Sequence, residues 1–497
     1  MTDLPPRNPV NAANARLRGN GIYAVLTGDF ARKGYLSGVD QGLISATNFV
    51  ASLLLARAVT PTEFGVYAVG FLLLHAVRAV QEGLIVQPLS FLGAAQGEDQ
   101  FSRYFSGLMI VQLGLAGLLS LSALVLGGLL AFAGNDVAGP TLYTLWFVFL
   151  FWPVQEFLRR GFYARGEIQR AVVNSAAASF IRIVVLVWLL SDGSTNGSVG
   201  MHAIGWGALG GVLLGLGQAR SYWTAAFEGP GKIIRRNWRH GKWVLGGSLA
   251  NWVALEVYPI IAAGMISFAA AGAYRALQTV VAPVHVLLRA IDTLLTPRAA
   301  WLYARGGLRG VSRAMRLTYL VAGIPILGIL ALAAVFPGQI LELFYGQTYL
   351  PFQDGMILMV GYYALWTLYW PLQAAFKAIR LTRPIFVANL LAITSMFSVG
   401  LIAVRRWGLY GAIGGQALNA AFVAGILWLT WLQAQRMGGF KSLPWRLGIQ
   451  TETLGSSADA KRVEAQPGAG QAAVPTGRPA QPKDLQERQQ DELEVEP

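Results

Sequence analysis

Apolar residues run through this chain in stretches long enough to cross a lipid bilayer, and polar residues gather in short intervals between them. Twelve stretches read as helices: 35–57, 64–90, 105–131, 140–163, 168–190, 199–219, 243–266, 271–297, 315–336, 354–377, 384–404 and 408–433. Most reach the ~20 residues that a helix needs to span a hydrocarbon core. Helix is the expected form because lipid offers backbone groups no other partner. The pattern stops near Gly448, where Pro, Gly, Gln, Ala and Glu follow one another without an apolar period. Residues 448–497 therefore read as a disordered cytoplasmic tail. The fold class expected is an all-α polytopic membrane protein.

The polar intervals set the orientation. With the N-terminus inside, the cytoplasmic intervals hold 27 Lys and Arg residues and the outward ones hold three, Arg57, Arg405 and Arg406. Such a bias places both termini in the cytoplasm. It divides the chain into a cytoplasmic segment 1–34, a first bundle 35–219, a basic cytoplasmic linker 220–242, a second bundle 243–435 and the tail. The linker's basic residues have two readings: orienting the following span, or meeting lipid headgroups.

The two bundles repeat one another. Gly65 and Tyr67, just after the connector Thr60-Pro61-Thr62-Glu63, have counterparts 207 residues on in Gly272 and Tyr274. Trp152-Pro153-Val154-Gln155 matches Trp370-Pro371-Leu372-Gln373, and Ala203-Ile204-Gly205 matches Ala412-Ile413-Gly414. Both internal prolines are expected to bend their helices. Six spans per copy give both copies the same sense across the membrane. The expectation is twelve transmembrane helices in two six-helix lobes, related by a pseudo-two-fold axis along the membrane normal, with a cleft between them. Gly207, Gly211 and Gly215 form a small-residue stripe suited to close helix packing. Many of the fifteen tryptophans fall near span ends and suit an interfacial belt.

Charge inside the spans changes the picture from topology to chemistry. His75, Arg78 and Glu82 lie in the second span, and His285, Arg289 and Asp292 in the eighth. In each span histidine and acid are two helical turns apart, on one face. Asp40, Glu156, Arg182, Glu256 and Arg275 complete the set. An ionised side chain at mid-helix costs about 2.5–3.5 kcal/mol on insertion scales, so these groups should face a wet or paired interior. One reading sets Arg78 and Arg289 across the cleft as ligands for an anionic group, since a guanidinium grips phosphate with two charge-assisted bonds. The other pairs Arg78 with Glu82 and Arg289 with Asp292 along their own helices. Arg182 and Arg275 are further candidates for the cavity, although Arg275 is near enough to the outer surface to snorkel. His75 and His285 suit either substrate contact or helix packing. Asp40, Glu156 and Glu256 suit either ion coupling or pairing with a neighbouring arginine.

Composition narrows the classes. The chain is 54% apolar and 13% charged, about half the charged share of a soluble globular protein. There is no cysteine and the four histidines are scattered, which argues against thiolate chemistry or a metal site; no cofactor is expected. The net charge of +14 sits in short loops, pointing to topology rather than nucleic acid. Residues 1–34 lack the apolar core of a cleaved signal.

Gly38-Val39-Asp40-Gln41-Gly42-Leu43, Leu55-Ala56-Arg57-Ala58 and Pro61-Thr62-Glu63-Phe64-Gly65-Val66-Tyr67 resemble the Wzx-like polysaccharide transporters. These belong to the multidrug/oligosaccharidyl-lipid/polysaccharide exporter superfamily, and the likeness extends over residues 30–435. It implies a flippase that carries undecaprenyl-pyrophosphate-linked sugars across the bacterial inner membrane by alternating access, for cell-surface polysaccharides such as lipopolysaccharide or exopolysaccharide. Cavity arginines would take the pyrophosphate, a proton or sodium gradient would supply the drive, and polysaccharide polymerase machinery would be a neighbour. Two alternatives stand beside it: a cation-coupled multidrug exporter of the same superfamily, and a polytopic glycan polymerase or ligase. Paired arginines argue against the first. The second lacks an outward loop long enough to build a site.

Overall fold

Helix occupies most of each of the twelve apolar stretches, and breaks fall at capping residues such as Thr60 and Ser267, at glycines, and just before Pro259 and Pro283. The computed structural model describes residues 29–437 apart from 94–95, 136–137, 380 and 382. The side chains of 29–31, 240, 289–290, 292–294, 296–298, 300–301 and 304–306 are also outside the description, as is the tail expected at 448–497.

The first half of the chain forms α1 (Asp29–Ala58), α2 (Pro61–Gln81), α3 (Glu98–Phe132), α4 (Ala138–Ala164), α5 (Ile168–Ser191) and α6 (Ser198–Gln218). Two π-helical turns, Glu82–Val86 and Leu89–Gly93, lengthen α2. The second half forms α7 (Pro230–Glu256), α8 (Tyr258–Met265), α9 (Phe268–Val280), α10 (Ala282–Val335), α11 (Pro337–Tyr345), α12 (Gly355–Ala378), α13 (Arg383–Ser395) and α14 (Leu401–Arg436). Within the first half α3 packs on α4, α5 on α6, and α1 on α5. Within the second, α10 packs on α12, α12 on α14, and α13 on α14. Phe101, Phe105, Phe157 and Tyr222 stack into an aromatic core for the first half.

Among the described residues eight helices are long and apolar enough to cross a membrane, or nine if α8 and the Gly241–Glu256 part of α7, bent by 55°, make one span. The difference from twelve has physical causes. The stretches expected at 384–404 and 408–433 fall in one helical run, Arg383–Arg436, which turns sharply at Gly408, φ 56°. Phe268–Val280 is only 13 residues long and carries Arg275 and Gln278. Gly355–Ala378 is rich in Tyr and Trp and contains Gln373. Two segments expected as loops are helical instead. The cytoplasmic interval after 297 continues α10 through a sharp turn at Gly307, φ 55°. Half of the basic linker is the start of α7. The other half is anchored by Tyr222, whose hydroxyl donates to Glu167 at 2.5 Å. Burial, then that bond, pushes the Tyr222 phenol above its usual range.

The repeat is visible in the backbone. Thr60 caps α2, its Oγ1 accepting from the Glu63 amide at 3.3 Å. Its counterpart Ser267 caps α9, accepting from the Ala270 amide at 3.2 Å. One turn in, α2 and α9 cross at their paired glycines. A Cβ on Gly65 would overlap the Phe268 carbonyl oxygen, and one on Gly272 would overlap that of Pro61. Only a residue without Cβ allows so close an approach. Arg57 adds a clasp near this end, donating to the backbone carbonyls of Leu343 and Phe344.

Candidate functional site

Below that crossing lies a cavity of about 790 Å³. One wall comes from α1, α2, α4, α5 and α6, and the facing wall from α7, α9, α10 and α12. Seven of the charged residues singled out from sequence line it: His75, Arg78, Glu156, Arg182, Glu256, Arg275 and His285. Asp40 reaches it through a partner. Glu82 does not line it and accepts from Gln87 at 2.9 Å. Arg289 and Asp292 belong to α10, but their side chains are outside the described residues, so the facing of Arg78 and Arg289 lies there too.

Four groups make up the lining. The first is a buried network at one end. Arg159 donates to both oxygens of Glu156, at 2.9 and 2.7 Å, and to Asp40 Oδ2 at 2.5 Å. Arg160 donates to Glu156 at 2.9 Å and the Tyr163 hydroxyl to Asp40 at 2.7 Å. Arg78, which also lines the cavity, adds its charge to the field on Glu156. Arg159 is one of the 27 basic residues that the charge bias assigns to the cytoplasmic side, yet it lines the cavity. Its i,i+3 spacing from Glu156 was the available signal.

The second group is Arg182, which donates to Asn48 Oδ1 at 2.6 Å and to the Tyr67 hydroxyl at 3.2 Å. The glycine stripe of α6 sets its position. A Cβ on Gly207 would come within 2.6 Å of the Ala178 carbonyl and 2.8 Å of the Arg182 Cβ, so α5 and α6 meet without side chains between them. The third is Arg275, which donates to Gln278 at 2.9 Å and lies over the Phe71 ring at 4.7 Å. It faces the cavity rather than snorkelling outward. Among the described residues neither Arg182 nor Arg275 makes an ion pair, and the Nε of each is buried without a hydrogen-bond partner. Arg182 has no acid beside it among the described residues, and Arg275 shares its field with the Glu256 carboxylate, so half-buried guanidiniums outnumber the acids in this part of the void.

The fourth group joins the walls. His75 of α2 lies 2.5 Å from Glu256 at the end of α7, and Trp252 of α7 donates to the Leu72 carbonyl at 3.2 Å. Beyond it, His285 sits 3.0 Å from the Tyr363 hydroxyl and edge-on to Trp366. Trp152, Trp366 and Trp370 also line the cavity, so these three are not part of an interfacial belt. Trp152 and Trp370 are the repeat's paired tryptophans. Only their matching Trp-Pro context hinted at the inward position.

Fold comparison defines the class. The chain is similar to an inward-facing multidrug resistance MATE family transporter of the MOP superfamily, at 13% identity and TM-score 0.64, covering 78% of this chain and 93% of that one. It is also similar to an outward-facing transporter of the same description, at 14% identity and TM-score 0.57, covering 82% and 95%. A third likeness is to a MOP superfamily transporter from Pyrococcus furiosus Vc1 (DSM3638), whose reversed pocket polarity suggests a different function for it. There the identity is 15%, the TM-score 0.57 and the coverage 82% and 97%. The fold is thus that of the MOP transporters. Residues 31–300 match the family described as polysaccharide biosynthesis protein, and the chain belongs to that family. A comparison with curated proteins gives no match.

Proposed function

We propose that this protein flips a polyprenyl-pyrophosphate-linked oligosaccharide across the bacterial inner membrane. Two six-helix lobes, related by the sequence repeat and with both termini in the cytoplasm, would open the cavity to each side in turn. The observation that carries this reading is the pair Arg182 and Arg275. They come from opposite halves, face one void, and hold only neutral hydrogen-bond partners among the described residues, with Glu256 the acid nearest in effect to Arg275. A pyrophosphate offers such groups the charge-assisted bonds they lack. The crossing of α2 and α9 closes the end that the charge bias assigns to the outside, which fits a state awaiting lipid-borne substrate from the cytoplasm. Asp40, Glu156 and the His75–Glu256 pair are the groups available to a coupling proton or sodium ion. No step calls for a cofactor.

The second reading, a cation-coupled exporter of small molecules, draws on Glu256, which is about one-third exposed to the cavity. The two are separated in proteoliposomes. A fluorescent polyprenyl-pyrophosphate glycan should flip with wild type, and Arg182→Gln or Arg275→Gln should lower the rate by roughly 10- to 100-fold, the worth of a charge-assisted bond or two. A cationic dye should be carried poorly by all three proteins. Glycolipid flipping that ignores both substitutions, or dye export that exceeds it, would sink the flippase reading. A polymerase or ligase would instead lengthen or transfer the glycan in the same assay.

A further inference from the structure

The start of α7 presents a face that does not line the cavity. Ile233, Asn237 and Gly241 form a buried stripe at helical spacing. Asn237 pins it, accepting from the Tyr104 hydroxyl and donating to the Leu84 carbonyl, both at 3.1 Å. A Cβ on Gly241 would overlap the Gly83 carbonyl oxygen, so the helix lies flush against the first half. The opposite face is bare. Ile234, Trp238 and Trp243 are 54%, 52% and 80% exposed. Lys232, Arg235, Arg239 and Lys242 are exposed among them, and among the described residues none of the four makes an ion pair. From Pro230 to Trp243 there is no acid.

We propose that this face is a binding site for the headgroups of anionic phospholipids. Cations alone suit any polyanion, but three large apolar side chains between them suit only a boundary between water and hydrocarbon. Tryptophan rings settle at headgroup depth and isoleucine in the acyl margin, while the cations meet lipid phosphates. The place fits, because the face runs into the Gly241–Glu256 segment, which together with α8 is apolar enough to make a span. The same helix runs on without a break to Glu256 in the cavity wall. Lipid held at one end is therefore joined by a rigid rod to the residue that meets His75 at the other.

The test uses the full chain in nanodiscs of phosphatidylcholine with and without phosphatidylglycerol. Lipid retained after mild extraction is counted by native mass spectrometry. Wild type should retain phosphatidylglycerol preferentially. Each cation is worth about fivefold, so the Lys232→Gln/Arg235→Gln/Arg239→Gln/Lys242→Gln variant should lose the preference. Arg235→Lys/Arg239→Lys should keep it. Trp238→Ala/Trp243→Ala should weaken retention with the charge intact. In wild type the preference should fall as salt rises from 50 to 500 mM, since exposed charges are screened; this holds whether or not the quadruple variant folds. Soluble glycerophosphoglycerol should not displace the lipid. Undiminished preference in a folded quadruple variant, a flat salt response, or displacement by the soluble headgroup would each overturn the assignment. So would a variant whose only defect is loss of a bound acidic protein or RNA.

Discussion

Replacing Arg159 with methionine should destabilise the protein more than any single change elsewhere in the cavity wall. The guanidinium is 5% exposed and makes three bonds to two carboxylates, themselves 0% (Asp40) and 6% (Glu156) exposed. Without it Glu156 keeps the hydrogen bond from Arg160 and the more distant charge of Arg78, and among the described residues Asp40 keeps the Tyr163 hydroxyl. Asp40 Oδ1 already has no partner, so that carboxylate has little to fall back on. Breaking a buried ion pair by removing one member costs about 3–5 kcal/mol, because the charge left behind remains desolvated. The triple variant Asp40→Asn/Glu156→Gln/Arg159→Met removes both stranded carboxylates along with the guanidinium and leaves Arg160, its side chain 26% exposed, to water. It should recover to within about 1–2 kcal/mol of wild type, since a buried pair and its neutral replacement are often nearly equal in stability. Reversible unfolding in mixed micelles with increasing sodium dodecyl sulfate gives the free energies, and fluorescence-detected gel filtration after heating ranks the variants. A single variant as stable as wild type would show that the network carries no net charge burden. A triple variant no better than the single would show that packing, not electrostatics, holds these helices.

Other parts of the cavity make separate predictions. A double-mutant cycle with His75→Gln and Glu256→Gln should give a coupling of about 1 kcal/mol, less than for a buried pair because these side chains are 27% and 32% exposed; zero coupling would remove the contact from consideration as a link between the walls. Gly207→Val should lose about 1–3 kcal/mol by driving α5 from α6, and should weaken binding of inorganic pyrophosphate as Arg182 moves with α5; unchanged binding would separate the glycine stripe from the cationic site. Arg57→Ala should lower the melting temperature without altering pyrophosphate affinity, since its bonds run to the carbonyls of Leu343 and Phe344 outside the cavity.

The helices and their register were legible because they rest on local chemistry. Thr60 and Ser267 announce helix starts by side chains that reach their own next turn. The glycine stripe of α6 announces close packing without naming its partner. What sequence could not supply was the pairing of groups distant in the chain. Arg159 and Asp40 stand 119 residues apart, and His75 and Glu256 stand 181 apart. Arg159 in particular looked like one more positive charge on the inner flank, because its neighbour Arg160 shares that place. The tryptophans misled for a related reason. Composition puts the indole at the membrane surface on average, whereas Trp152 and Trp370 are turned by their own helices toward the void.

The glycine crossing of α2 and α9 has a consequence for how the two halves can change. Each position presses on the other half's backbone, so the room available is shared across the seam rather than owned by either side. A methyl group gained at residue 65 finds no relief from any alteration confined to residues 1–219, because the obstacle is the Phe268 carbonyl of the second half. Changes elsewhere can be absorbed within one half, but here the two halves answer to a joint limit. Enlarging either glycine would part these helix tips.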